Sequence, residues 1–188
     1  MVVKAQRGLS LPISELDRVH DELLVVLVQA GDRLAGERLA ARWQPRLLRA
    51  ARRILRSEDR ARDAVQDAWT SIFRGVARLK DPAAFPAWAF GILNRRCVDR
   101  IRGDSRRAEE AVDVDQVPVP PRAATEGLDL VRALAALDHD HRTAAVLHFC
   151  EGLTLTEVAA AVGVPVGTAK SRIFHARRRL KAALTGDT

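Results

Sequence analysis

Residues 154–184 read TLTEVAAAVGVPVGTAKSRIFHARRRLKAAL, and this stretch sets the organisation of the whole chain. Thr154 followed three residues later by Glu157 makes a capping box: the hydroxyl accepts a bond from an orphan amide at a helix start, and the carboxylate reaches back to the cap's own N–H. The spacing predicts a helix from about Leu155 that carries Val158, Ala159 and Val162 on one face. Gly163 ends it, and Pro165 just beyond opens the next helix. Two helices around so tight a turn make a helix-turn-helix.

The second helix says what the motif is for. At about 100° per residue, Val166, Ala169, Ile173, Leu180 and Leu184 form a narrow packing stripe, and Thr168, Ser171, Arg172, His175, Arg178 and Arg179 cover the other side. Arginine mixed with short hydroxyl donors is the set that bonds guanine edges and phosphates in a groove wide enough to admit a helix. Residues 165–188 carry Lys170, Arg172, Arg177, Arg178, Arg179 and Lys181 against one acid, Asp187. With a capped helix and a glycine turn directly upstream, this basic face reads as a DNA surface and not merely a solvated one.

Composition agrees. The 188 residues hold 31 Lys+Arg against 24 Asp+Glu, a length for one medium domain or two small ones and an excess that favours an anionic partner. No apolar run is long enough to span a bilayer, and MVVKAQRGLSLPISELD lacks the apolar core of a signal peptide, so a cytoplasmic protein without membrane insertion is expected. Cys97 and Cys150 are far apart with no C-x-x-C, and they read as buried small hydrophobes. His139, His141 and His148 near Cys150 repeat no metal-ligand spacing, and no cofactor or metal is expected. With no glycine-rich phosphate loop, H-E-x-x-H or nucleophile elbow, nothing points to catalysis.

Upstream, the pattern is helical throughout. Residues 1–13 show no period and read as a frayed arm. From Ser14, Leu16, Val19, Leu23, Val26 and Leu27 recur at three and four until Gly31-Asp32 interrupts. A second helix passes Leu34, Leu39 and Trp43, and Gln44-Pro45 marks a further start, with Leu47, Leu48, Ala51, Ile54 and Leu55 inside. Ser57-Glu58-Asp59 starts a helix through about Val76, since a serine and two acids suit its positive end. Its core stripe is Val65, Ala68, Trp69, Ile72, Phe73 and Val76; Asp63, Gln66 and Asp67 share the other face, an acidic and amide patch on a basic protein. Leu79-Lys80-Asp81-Pro82 is a turn, after which Phe85 and Trp88 open a helix with Phe90, Ile92, Leu93 and Val98 inside and Arg95, Arg96, Arg100 and Arg102 largely outside. Aromatics among bases suit single-stranded DNA, which stacks on rings while cations hold its backbone. Residues 108–127 lose the period and hold Glu109, Glu110, Asp113, Asp115 and Glu126 against Arg122, with Pro118, Pro120 and Pro121 between: an extended, self-repelling tether. From Leu128 two helices, with Leu130, Val131, Leu134 and Leu137 and then Ala145, Val146 and Phe149, lead beneath the helix-turn-helix.

LVQAGDRLAGERLAARWQPRLLRAARRIL, DRARDAVQDAWTSIF, FPAWAFGILNRRCVDRIRGDSRR and LAALDHDHRTAAVLHFCEGLTLTEVAAAVGVPVGTAKSRIFHARRRL, in this order, resemble the sigma-70 family of bacterial transcription initiation factors, specifically the small extracytoplasmic-function type. The resemblance implies an all-α fold of two small helical domains, region 2 over residues 14–107 and region 4 over residues 128–188, joined by the flexible acidic linker. It implies that Asp63, Gln66 and Asp67 dock on the clamp coiled coil of the polymerase largest subunit, that region 4 meets the polymerase flap, and that the linker runs through basic polymerase channels. It implies that residues 78–87 hold a base flipped from the −10 element, with Lys80, Phe85, Trp88, Asn94 and Arg95 as the −10 set. Arg95 sits where the family usually has Asn, seven residues after the Trp, and Asn94 comes one earlier, a rotation of about 100° on a helix. The −35 set is Thr168, Lys170, Ser171, Arg172, His175 and Arg178. Partners are then core RNA polymerase, promoter DNA and an anti-sigma factor if one exists. The alternative is an ordinary helix-turn-helix regulator, similar at its C-terminus to LuxR-type output domains, with a helical sensor or dimerisation domain; such a domain needs neither the Asp63/Gln66/Asp67 face nor the arginine-rich Trp88 segment.

Overall fold

The computed structural model describes residues 15–110 and 127–185, and every regular element among them is helical. In order these are α1 (Glu15–Gln29), α2 (Arg33–Leu55), α3 (Glu58–Gly75), α4 (Phe85–Glu110), α5 (Gly127–Ala135), α6 (His139–Ala145), α7 (Leu155–Val162) and α8 (Val166–Thr185). Helices α1–α4 pack as one bundle and α5–α8 as a second. The arm over residues 1–13 and the linker charges Asp113, Asp115, Arg122 and Glu126 lie outside the described residues. Glu109 and Glu110, expected in the linker, fall within the last turn of α4.

Local chemistry sets most boundaries. Gly31 takes a positive φ after α1, and the Asp32 side chain accepts from the Ala35 amide to start α2. Ser57 caps α3 in the same way. The expected break at Gln44-Pro45 does not occur: α2 runs unbroken with Pro45 inside it. Proline in a helix interior costs about 3 kcal/mol through a lost hydrogen bond and a clash. Leu39 and Trp43 before it, and Leu47, Ala50 and Ala51 after it, are all fully buried, so breaking the helix there would expose more than the proline loses.

Helix α1 buries a different face from the one its spacing advertises, and α3 buries most of its expected stripe, Val65, Ala68, Ile72 and Val76, but not all of it. In α1, Leu24 and Val25 face the bundle with Asp21, whose carboxylate is held by Arg42 Nε at 2.6 Å, while Leu16 is 79% exposed and Val19, Leu23 and Val26 also face out. In α3, Ala61, Ala64, Val65, Ala68 and Ile72 are buried, but Trp69 is half-buried and Phe73 exposed. The first bundle closes on an aromatic centre: Trp43 meets Phe85 edge-on at 5.0 Å and Phe90 at 5.6 Å. Trp88 lies over Gly75, where a Cβ would come within 2.9 Å of the indole, so only glycine fits under that ring.

The second bundle follows the sequence closely. Leu134, Leu137, Val146 and Leu147 are buried, with a π-helical turn from Val146 to Cys150 extending α6; Val131 and Phe149, expected inside, are exposed. Thr154 and Glu157 form the capping box with both bonds present, and Gly163 takes φ 72, a left-handed position most side chains avoid. Cys97 and Cys150 are both buried free thiols, and burial pushes Cys97 up to about 12 and Cys150 up as well. Among the described residues no helix is long and apolar enough to cross a membrane.

Candidate nucleic-acid and polymerase interfaces

Helix α8 seats Ala169, Ile173, Ala176 and Leu180 against its own bundle; Val166 and Leu184, at the two ends of the expected stripe, are exposed. The seated residues turn Lys170, Ser171, Phe174, His175 and Arg178 outward, all exposed. Thr168 is half-buried, and its carbonyl accepts from Ser171 Oγ at 2.9 Å. Arg172 does not share the outward face. It lies to one side, half-buried, in an ion pair with Asp140 at the start of α6. Arg179 reaches Asp138 at 3.4 Å on the same flank. Burial would raise the Asp138 carboxyl, but bonds from the His141 amide and ring, with the Arg179 charge, hold it below its ordinary value. The His141 ring stands edge-on to His175 at 6.0 Å, and burial lowers His139. Phe174, 61% exposed between Ser171 and Arg178, is a functional candidate that the polar and basic reading passed over. The helical wheel contains it: one residue after buried Ile173 and four before Arg178, it must face out.

The −10 set does not converge. Lys80 and Arg95 are exposed, Trp88 is half-buried over Gly75, and Phe85 is 0% exposed in the aromatic centre. A ring packed edge-on to Trp43 offers no free face to a base, so Phe85 here is a core residue and not a stacking platform. Asn94 is 8% exposed, and its side-chain oxygen is buried without a hydrogen bond. Asp81 accepts from the Ala83 amide, setting the turn into α4.

The Asp63/Gln66/Asp67 patch divides in two. Arg100 of α4 bridges both carboxylates, at 3.2 Å to Asp63 and 2.5 Å to Asp67. Gln66 turns to the other flank, into an open hollow of about 550 Å³ shared with Gln44, Arg62, Trp69, Thr70 and Phe73. Trp69 and Phe73 stack at 5.2 Å, and the indole N–H donates to Gln44 Oε1 at 2.5 Å. Gly36 lies beside Phe73 with no side chain to cover that ring. Among the described residues no cluster of three or more His, Cys, Asp or Glu is placed to hold a metal.

Comparison with known proteins accounts for both bundles. Residues 39–107 match sigma-70 region 2, and residues 127–180 match sigma-70 region 4. Over 170 residues the chain is 35% identical to the ECF RNA polymerase sigma factor SigM of Mycobacterium tuberculosis, spanning 89% of this chain and 86% of that one. The chain belongs to the extracytoplasmic-function sigma-70 family. It is a promoter-directing factor of RNA polymerase. Its structure is similar to that of RpoE from Bartonella quintana in complex with the anti-sigma factor NepR, at TM-score 0.70 and 27% identity, covering 81% of this chain and 98% of that one. It is also similar to CnrH in complex with the cytosolic domain of CnrY, at TM-score 0.66 and 28% identity, covering 90% and 99%.

The two sigma regions touch. Arg18 of α1 forks onto the Glu157 carboxylate at 2.6 and 3.2 Å, and Arg142 of α6 donates to the Ile54 carbonyl of α2 at 3.0 Å. Helix α4 of region 2 packs on α7 of region 4 with Gly91 against the Ala161 backbone, where an added Cβ would lie in van der Waals contact, 3.4 Å from the carbonyl oxygen. Between them Glu151, with its side chain fully buried, faces Arg46 at 3.5 Å and Arg53 at 3.6 Å across the interface. Those distances exceed a charge-assisted hydrogen bond, and neither carboxylate oxygen makes one. Burial raises the Glu151 carboxyl above its usual range, against the pull of Arg46, Arg49 and Arg53. Nothing in the local sequence singles out Glu151, because its partners are about a hundred residues away.

Proposed function

We propose that this sigma factor reads the −35 element with the outward face of α8 and the −10 element with α4 and the turn before it, while α3 holds it on core polymerase. The carrying observation is the face formed by Lys170, Ser171, Phe174, His175 and Arg178, which is exposed as a set on a rigid, well-seated helix. In a major groove Arg178 suits the two acceptors of guanine, Phe174 suits a thymine methyl, Ser171 bonds either base or backbone, and Lys170 neutralises a phosphate. Arg172, neutralised by Asp140, steadies the helix against α6 and contributes to readout through position alone.

Arg95 of α4 and Lys80 of the turn before it hold the backbone of the −10 strand, with Asn94 as the polar reader. On α3, Asp63, Gln66 and Asp67 meet the clamp coiled coil, with Trp69 and Phe73 supplying the apolar anchor beside them; aromatic anchors in a hollow dominate interface energetics. The protein turns over no substrate, works in the cytoplasm, and takes an anti-sigma factor as its regulator, as its structural relative RpoE does with NepR.

Run-off transcription by the full chain with core polymerase over a randomised promoter library tests this. The expected result is a start site with two conserved blocks upstream, and Arg178→Ala relaxing base preference in the distal block only. Transcripts with no sequence preference, or none above core enzyme alone, overturn it.

A further inference from the structure

Helix α8 carries six cations, Lys170, Arg172, Arg177, Arg178, Arg179 and Lys181, and its own bundle occupies two of them. Arg172 pairs with Asp140 in the first turn of α6, and Arg179 reaches Asp138, the residue that caps that helix, at 3.4 Å. Among the described residues no carboxylate pairs with the other four. Successive helical residues turn by about 100°, so Arg172 and Arg179 lie within about 20° of each other, about 40–60° round the helix from His175. They form the flank beside the outward face, and the start of α6 is set against that flank: the His141 ring stands edge-on to His175 at 6.0 Å. A helix about 10–12 Å across fills a major groove about 12 Å wide, so side chains on its flank meet phosphates and not base edges. Two arginines in that place are ready phosphate anchors. An acid beside each cancels its charge and opposes the same phosphates.

Resting on the reading that α8 enters the −35 groove, we propose that Asp138 and Asp140 are specificity-determining residues: they withhold Arg172 and Arg179 from DNA phosphates, so that sequence-independent affinity stays low and Ser171, Phe174, His175 and Arg178 decide where region 4 binds.

The geometry keeps both acids charged and in the way. Burial would raise the Asp138 carboxyl, but the His141 amide at 3.0 Å, the His141 ring at 2.7 Å and the Arg179 charge hold it below the ordinary aspartate value. The Asp140 side chain is 54% exposed against 22% for Arg172, so an approaching phosphate meets the charge of the acid. Partly exposed pairs of this kind add little to folding stability, and they weigh more on DNA binding than on the fold. Duplex DNA attracts every free cation regardless of sequence, and each phosphate neutralised steepens the fall of log K with log salt by about 0.9. On an unmatched duplex the helix is free to shift toward the phosphates, so an unpaired flank arginine adds a whole contact there. On the matched site the base bonds of the readers fix the helix, and the same arginine adds less. Freeing either arginine therefore favours wrong sites over right ones, and wrong sites vastly outnumber right ones in a genome.

The test compares the full chain with Asp138→Asn and Asp140→Asn. Asparagine caps a helix as well as aspartate does, so the start of α6 survives the first change, and melting curves check both variants. Fluorescence anisotropy at several salt concentrations measures binding to a duplex carrying the −35 block found by run-off transcription, and to a scrambled duplex of the same composition. Each variant is expected to bind the scrambled duplex about threefold to tenfold tighter at about 0.1 M salt, with a salt slope steeper by about one, and to prefer the matched duplex less than wild type does. Adding Arg172→Ala to Asp140→Asn should return the slope to that of wild type, whereas a pair that only braced the fold would leave the slope unmoved throughout. Unchanged slopes in both single variants overturn the proposal, and so does an unchanged preference for the matched duplex. A wild type that binds matched and scrambled duplexes equally fails the −35 reading instead, while the slopes still report whether the acids withhold the arginines.

Discussion

Helices α8 and α4 both face DNA in the proposed reading, yet they sit in opposite conditions. The outward side of α8 is bare, with Phe174 and Arg178 in solvent, and the acids that could neutralise it, Asp138 and Asp140, are engaged with Arg172 and Arg179 on one flank. The corresponding side of α4 lies under α7, with Gly91 against Ala161 and Asn94 buried. A duplex reader works on DNA as it comes and needs no guard. A single-strand reader with basic and aromatic side chains binds unpaired nucleic acid wherever it meets it.

The largest effect that bears on this contrast is at the root of α4. Phe85→Ala is expected to destabilise region 2 by about 3–5 kcal/mol, since it empties the place beside Trp43. Thermal melting checks it; an unchanged melting curve with lost single-strand binding would make Phe85 a base platform and α4 less covered than described. Next, Arg178→Ala should lose about 1–3 kcal/mol of discrimination at one −35 base pair. Arg172→Ala should leave the preference intact and weaken all duplexes slightly, as expected of a partly exposed ion pair worth about 0.2–1 kcal/mol. Competition binding across a randomised −35 duplex separates the two, and a flattened preference in Arg172→Ala would return that residue to the readout face.

A pH effect separates the interface from the DNA faces. Burial would raise the Glu157 carboxyl, but the bonds from Arg18 and Thr154 outweigh it and hold it below the ordinary glutamate value. Its contribution is therefore present above that value and is lost as pH falls through the depressed one. Glu151 runs the other way: its raised value favours the closed form while protonated, and that preference fades as pH rises through it. Glu157→Gln should then make stability less acid-sensitive below about pH 4.5, read by denaturant melts across pH. An identical acid profile would remove Glu157 from the interface. Smallest of all, Lys170→Ala should weaken every duplex evenly and lower the salt slope by about one.

Much of region 4 was legible because its chemistry is local. A threonine three residues before a glutamate, a glycine at the helix end and a stripe at three and four determine one helix, one turn and the next helix, and each contact lies within a few residues of its cause. Phe174 sits outward on the same wheel, although its apolar ring does not mark it as a reader of DNA. In region 2 the elements were readable and their burial was not. Helix α1 is apolar on two sides, so periodicity identifies a helix without saying which side faces α2; the buried Asp21, whose Oδ1 accepts from Arg42 of another helix, marks the true inner face. The missed continuation through Pro45 has the same origin, since the residues that keep α2 straight on belong to the packed bundle and not to the proline's neighbours. Phe73 is exposed where its nearest cross-bundle neighbour is Gly36, thirty-odd residues upstream, which has no side chain to lay over it.

The two thiols turn this molecule into its own clock. Cys97 is buried within region 2 and held protonated far above neutrality, whereas Cys150 is the residue next to Glu151 at the seam between regions. A thiolate-specific reagent is therefore expected to label Cys150 before Cys97, provided the seam parts more often than either bundle unfolds. The ratio of the two labelling rates, taken on the unmodified chain, measures how often the factor opens for each time it unfolds.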